Sequence, residues 1–109
     1  MTTPKQVFMD ELPPRLKAKG DEVKKTNAVF QFHIKGDDGG SWWIDTTKSG
    51  GEVGEGVNDN ASCTVTMATG DFIDMVTGKL NGQMAFMTGK LKLEGNMMLA
   101  MQLGNVLGL

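Results

Sequence analysis

Residues 71–103, DFIDMVTGKLNGQMAFMTGKLKLEGNMMLAMQL, place long, flexible apolar side chains on elements that glycine keeps short. Six of the chain's nine methionines follow residue 70, and methionine fills irregular apolar space and tolerates neighbours of varied shape. Elements this short and this greasy must close over one another, so the segment reads as the wall of an apolar pocket. Groups able to do chemistry are nearly absent from it.

The 109 residues make one domain, residues 1–109, with a core small enough that an internal cavity takes a sizeable share of it. The formal net charge of −2 lacks the broad basic surface that phosphate backbones require, so nucleic acid is not an expected partner. Cys63 is the only cysteine; it cannot form an internal disulfide, and its place in the alternating run Cys63 to Met67 suggests a buried structural thiol. Val7, Phe8 and Met9 are followed at once by Asp10 and Glu11, so neither a signal peptide nor a membrane span is expected. An intracellular, reducing compartment follows, and the Asn60-Ala61-Ser62 sequon is then expected to stay unmodified.

Pro4 suits a first helical turn, and Phe8, Leu12 and Leu16 recur every four residues. Pro13 and Pro14 interrupt this stripe, which predicts a kinked helix or two short ones ending near Gly20. From Ala28 the period changes to two, with Phe30, Phe32 and Ile34 on one face and Val29, Gln31 and His33 on the other. A tight loop at residues 36–40 leads to an antiparallel partner over Ser41 to Thr46. A weaker third strand is predicted around Gly51 to Glu55, then a strand from Cys63 to Met67. Thr69 and Asp71 are placed to cap a helix bearing Phe72, Met75 and Val76 that Gly78 stops, and Asn81 to open a second that Gly89 stops. Lys90-Leu91-Lys92-Leu93-Glu94 alternates as a half-exposed last strand. Asn96 caps a final helix carrying Met97, Met98, Leu99, Met101, Leu103, Val106 and Leu107, so apolar that it must be buried on several sides or cover a hole. The plan is α+β: a five-stranded, mostly antiparallel sheet with helices on one face.

Candidates for catalysis are few. His33 is the lone histidine, and its alternation points it away from Phe32 and Ile34. One His and one Cys, both on strands, cannot assemble a soft metal site, so neither a metal nor a cofactor is expected. Asp37 and Asp38 fit a turn rather than an acid and base pair. The glycine run at residues 50–56 lacks the Gly-Lys-Ser/Thr ending of a phosphate loop, and its Glu52 and Glu55 would repel phosphate. Of the neighbours Trp42 and Trp43, one must point inward and one outward. Lys79, Lys90 and Lys92, opposed after Asp74 only by Glu94, could steer an anionic head group.

Asn27 to Ile34 (NAVFQFHI), Trp43 with Asp45, Asp71-Phe72, Thr77 to Leu80 (TGKL), and Ala85 to Leu93 (AFMTGKLKL) running into Gly95-Asn96-Met97 together resemble the sterol carrier protein 2 domain. The resemblance runs from about Val7 to Leu103, and within the family the opening block is most similar to the type fused to the peroxisomal multifunctional enzyme of fatty-acid oxidation. It implies an apolar tunnel between sheet and helices for fatty acids, fatty acyl-CoA esters, sterols or phospholipids. By position it puts Phe32, Val65, Phe72, Val76, Met84, Phe86, Met87, Leu99, Met101 and Leu103 around the tunnel, with Phe8 and Leu12 closing its far side. Three departures stand out. Gly82 replaces a frequent proline and loosens that turn; Met101 replaces a glutamine and favours a wholly apolar ligand; and the ending Leu107-Gly108-Leu109 differs from the family's peroxisomal Ala-Lys-Leu type of tripeptide, leaving the cytoplasm as the expected compartment, with the peroxisome as alternative.

The expectation is a monomeric, non-enzymatic lipid carrier with low selectivity. It would hold an acyl chain or sterol inside and the polar head near Lys79, Lys90 or Lys92, touch membrane surfaces transiently, and admit ligand by a shift of the last helix. About fourteen buried methylenes at about 0.8 kcal/mol each give about 11 kcal/mol gross, before ordering costs. The rival expectation is a docking module that presents lipid substrates to a partner or fused enzyme, using Trp42 and the C-terminal apolar residues as its contact surface.

Overall fold

A computed structural model describes residues 3–48 and 51–107, with side chains through residue 104. Gly50 of the glycine run, the side chains of Val106 and Leu107, and the last two residues lie outside the described set.

The N-terminal stripe folds as one winding segment. Thr3 and Gln6 form a reciprocal cap around a single turn, α1 (Pro4–Gln6), each side chain bonding the other's backbone N–H. The next turn, Val7–Glu11, is π-helical, with Leu12 N–H donating to Val7 O, and it passes into α2 (Leu12–Ala18). The wide turn sets Pro13 and Pro14 in the first turn of α2, where a missing N–H costs nothing. The helix that starts at the prolines ends near Gly20 as predicted, but Gly20 does not close the helical segment. It begins α3 (Gly20–Thr26), acidic at its start and basic at its end, as the helix dipole favours. Val23 of α3 is fully buried and sits seven residues beyond Leu16, so core packing outweighs glycine's weak helix propensity there.

The strands are β1 (Val29–Lys35), β2 (Gly40–Asp45), β3 (Glu52–Glu55), β4 (Cys63–Ala68) and β5 (Leu91–Gly95), in the order β3-β2-β1-β4-β5. Only β1 and β4 run parallel; the other pairs are antiparallel. The register Phe30↔Ile44, Phe32↔Trp42, Phe32↔Val65 and Val65↔Leu93 puts these side chains on one face. Gln31, His33, Trp43, Lys92 and Glu94 therefore occupy the other. This is the expected α+β architecture.

The second face is not simply solvated. Gln31 lies on the face that the alternation predicts and is buried there: its Nε2 donates to Trp42 O and Gly56 O at 3.0 Å each, and its Oε1 accepts from Asn58 N–H at 2.7 Å. It holds the β3–β4 connection against the sheet. Trp43 lies across β3 against Gly54, where a Cβ would overlap the indole, and this close approach requires glycine at that position.

Three further helices follow β4. In α4 (Thr69–Val76) the predicted caps are not used; Thr69 is already helical and its hydroxyl donates to Lys35 O at 3.1 Å, tying the helix to the end of β1. Asn81 does cap α5 (Gly82–Met87), and Asn96 caps α6 (Met97–Leu107), each Oδ1 accepting from the two N–H groups beyond it. Gly78 and Gly89, at φ 85° and 80°, stop α4 and α5. No helix among the described residues is long and apolar enough to cross a membrane.

Candidate functional site

The face of the sheet that carries Phe30, Phe32, Trp42 and Val65 is filled unevenly. Over β1 and β2, Phe8 stacks between Trp42 (centroids 5.0 Å, 8°) and Phe72 (5.1 Å, 3°) and meets Phe32 at 5.2 Å in a tilted contact. Leu12, Leu16 and Val23 back this aromatic stack and are buried with it. Each ring pair adds about 0.5–1.5 kcal/mol beyond burial, so this half is solid core.

Over β4 and β5 the same face is open. A cavity of about 380 Å³ lies there, within the range of small-molecule sites. Its floor is Phe30, Phe32, Val65, Leu91 and Leu93; Met75 of α4 closes one end, α5 contributes residues 81–83 with Phe86 and Met87, and α6 contributes Met97, Ala100, Met101, Leu103 and Gly104. No lining residue carries a charge. Asn81 and Gln83 are the polar positions, and Asn81 Oδ1 is already committed to the cap of α5. Such a lining offers burial and shape but no group able to transfer a proton or attack a bond.

Of the positions implied by the resemblance, Phe32, Val65, Phe86, Met87, Met101 and Leu103 converge on the cavity. Phe8, Leu12 and Phe72 do not; they belong to the solid half. Val76 and Leu99 are half-buried against the core without lining the space, and Met84 points to solvent. Lys79, Lys90 and Lys92 are all exposed. Lys92 leaves the sheet on the face opposite Leu91 and Leu93, so it cannot attend the cavity's contents, whereas Lys79 and Lys90 stand at the two ends of α5. The lining also includes Phe30, Met75, Leu91, Leu93, Met97, Ala100 and Gly104, which the sequence reading leaves out. Two signals could have found some of them: Phe30 shares the face of Phe32, and Leu91 and Leu93 are the inward half of a strict alternation.

Other candidates lie elsewhere. His33 Nδ1 is 2.9 Å from Ser41 Oγ on the far face of the sheet. Trp42, the proposed contact tryptophan, is buried inward beneath Phe8. Cys63 is buried, its thiol donating to Asn96 O at 2.9 Å, and burial pushes the thiol pKa up despite that bond. Among the described residues no three His, Cys, Asp or Glu side chains gather as a metal site.

Residues 9–108 match the SCP-2 sterol transfer family. Hydroxysteroid dehydrogenase-like protein 2 of Bos taurus is 50% identical over 84 residues, which are 76% of this chain and 20% of that protein. The chain thus spans about one fifth of the length of the curated relatives it matches. Among solved structures, the apo form of sterol carrier protein 2 from Yarrowia lipolytica superposes with a TM-score of 0.72 at 35% identity, over 94% of this chain and 82% of that one. The palmitated sterol carrier protein 2-like 2 of Aedes aegypti gives 0.73 at 26% identity, over 97% and 95%.

Proposed function

Because the chain belongs to the SCP-2 sterol transfer family, we propose that it is a non-catalytic carrier that takes one apolar lipid, a fatty acyl chain or a sterol, into the cavity beside α5 and α6. The observation that carries this reading is an open, uncharged, apolar cavity next to a solid aromatic core. A relative of the same fold is described as palmitated. Phe32, Val65, Leu93, Met87 and Met101 are proposed as the principal contacts of the chain or ring, with any polar head toward Asn81, Gln83 and the exposed Lys79 or Lys90.

Selectivity is low on this reading, because one methylene changes affinity by only about tenfold or a little more, and a methionine-rich wall adapts to shape. The element that opens is α5 rather than the last helix. It buries only Ala85, whereas α6 buries Leu103 in the core; elements with few buried contacts open at the lowest free energy. The free thiol of Cys63 suits a reducing compartment.

A second reading is favoured by one fact: the chain corresponds to about a fifth of a dehydrogenase-like relative. As part of a longer protein it would present lipid to an attached enzyme, with the same cavity as its working part. Titration of the delipidated chain with a fluorescent acyl probe tests the carrier reading. Saturable one-to-one binding, displaced by fatty acid, acyl-CoA or cholesterol, is expected; a chain that binds none of them would refute it.

A further inference from the structure

We propose that β5 pairs antiparallel with β5 of a second copy of this chain, joining two sheets edge to edge as a two-fold dimer in place of the monomer expected from the sequence. The pairing goes beyond the carrier reading and does not rest on it. β5 ends the strand order, and among the described residues no strand lies along its outer edge. Asn96 N–H donates to Ser62 O at 3.4 Å, and bonded positions alternate along an antiparallel ladder. With Thr64 opposite Glu94 and Thr66 opposite Lys92, it is therefore the backbone groups of Lys92 and Glu94 that bond β4. The N–H and C=O groups of Leu91, Leu93 and Gly95 point away from the sheet, as a ladder ready for another strand.

Charge selects both the occupant and the register. Lys92 and Glu94 are exposed on the same face of β5, and a lysine on an edge strand ordinarily blocks strand addition. Centred on Leu93, two copies of β5 exchange backbone bonds at Leu93 with Leu93 and at Leu91 with Gly95, using only the outward groups. The same register sets Lys92 of each copy opposite Glu94 of the other, in the non-hydrogen-bonded positions where side chains stand closest. Sliding one strand by two residues keeps the outward groups in bonding positions, but it brings Lys92 against Lys92 in one direction and Glu94 against Glu94 in the other. Like charges thus reject both neighbouring registers. The opposite edge has no such complement, because β3 carries Glu52 and Glu55 and no basic residue.

The two-fold axis of an antiparallel ladder is perpendicular to the sheet, so the helices of both copies stay on one side. Lys90 then meets the second copy's Asn96, which brings the end of α5 beside the start of the second copy's α6. Met87 at that end is 72% exposed, and Met97 and Met98 at that start are 45% and 72% exposed. These methionines cover one another across the joint and give the isologous contact an apolar part beside its ladder.

The test follows sedimentation of the full chain against protein concentration, with amide hydrogen exchange at the lowest and highest concentrations. A monomer–dimer equilibrium is expected, with the amides of Leu91, Leu93 and Gly95 slowed in the dimer. K92E and E94K each set like charges opposite one another on both sides of the axis and are expected to weaken the dimer about thirtyfold. The double reversal K92E/E94K, or a mixture of the two single variants, is expected to restore it. A chain that sediments as a monomer at every concentration overturns the pairing. So does a dimer that both single reversals leave intact, a double reversal as weak as the single ones, or exchange slowed only outside β5.

Discussion

Gly104 offers the sharpest separation between a solid core and a ligand cavity. It lies inside α6 and lines the cavity, and a Cβ built there meets no heavy atom within 4 Å. Glycine in a helix interior costs about 0.8–1.0 kcal/mol relative to alanine, and leucine is nearly as good a helix former. Gly104→Leu is therefore expected to stabilise the ligand-free protein by about 1 kcal/mol, raising Tm by roughly 4–8 °C for a domain near this size. The same four carbons occupy space that lipid needs. Excluding three or four methylenes at about 0.8 kcal/mol each removes about 3 kcal/mol of binding, roughly a hundredfold in Kd. Stability and affinity move in opposite directions, which no general loosening of the fold produces. Thermal melts of the delipidated protein and acyl-probe titration measure the two. A lower Tm, as overpacking a filled core gives at about 1–3 kcal/mol, together with unchanged probe affinity would refute the reasoning.

Three other perturbations probe separate parts of the account. Gly82→Pro, at the first position of α5 beyond the Asn81 cap, is expected to add about 0.4–1 kcal/mol of stability and to slow probe exchange in stopped-flow; faster exchange would argue against α5 as the moving element. Gln31→Leu strands Gly56 O and Asn58 N–H and is expected to cost about 1–3 kcal/mol in urea denaturation, with probe affinity preserved because Gln31 lies on the opposite face of the sheet. Burial holds the Cys63 thiol neutral in the fold, so its contribution is present below the unfolded thiol pKa of about 8.5 and is lost as pH rises toward the raised folded value; Cys63→Ala is expected to flatten the decline in stability above that pH, and an identical decline in both proteins would contradict it.

The strands and the last three helices were legible because each carries its own punctuation: alternation in Phe30 to Ile34 and in Leu91 to Leu93, caps at Asn81 and Asn96, stops at Gly78 and Gly89. The N-terminal segment was less so. Proline argues locally for a break, but a π-helical turn absorbs Pro13 and Pro14, and Val23 draws α3 onward because there is core to fill. Alternation put Gln31 on the correct face but reports only a side chain's face and not what covers it, so its burial was not legible. In the site, a resemblance by position gathers all apolar residues near the tunnel. It cannot tell that Phe8, Trp42 and Phe72 stack into a solid plug that leaves the space over β4 and β5 to Leu91, Leu93 and the methionines. Strand parity alone removes Lys92 from that space.

The methionines provide their own reporters for the central claim. With the methionine methyl groups labelled with carbon-13, the delipidated protein titrated with a saturated fatty acid is expected to show saturable shifts at Met75, Met87, Met97 and Met101, which line the cavity. Met9 on the N-terminal segment and Met67, buried in β4 outside the lining, stay fixed. Shifts centred on Met9 and Met67, or none at a concentration that saturates the acyl probe, would contradict a lipid held between the sheet and the last two helices.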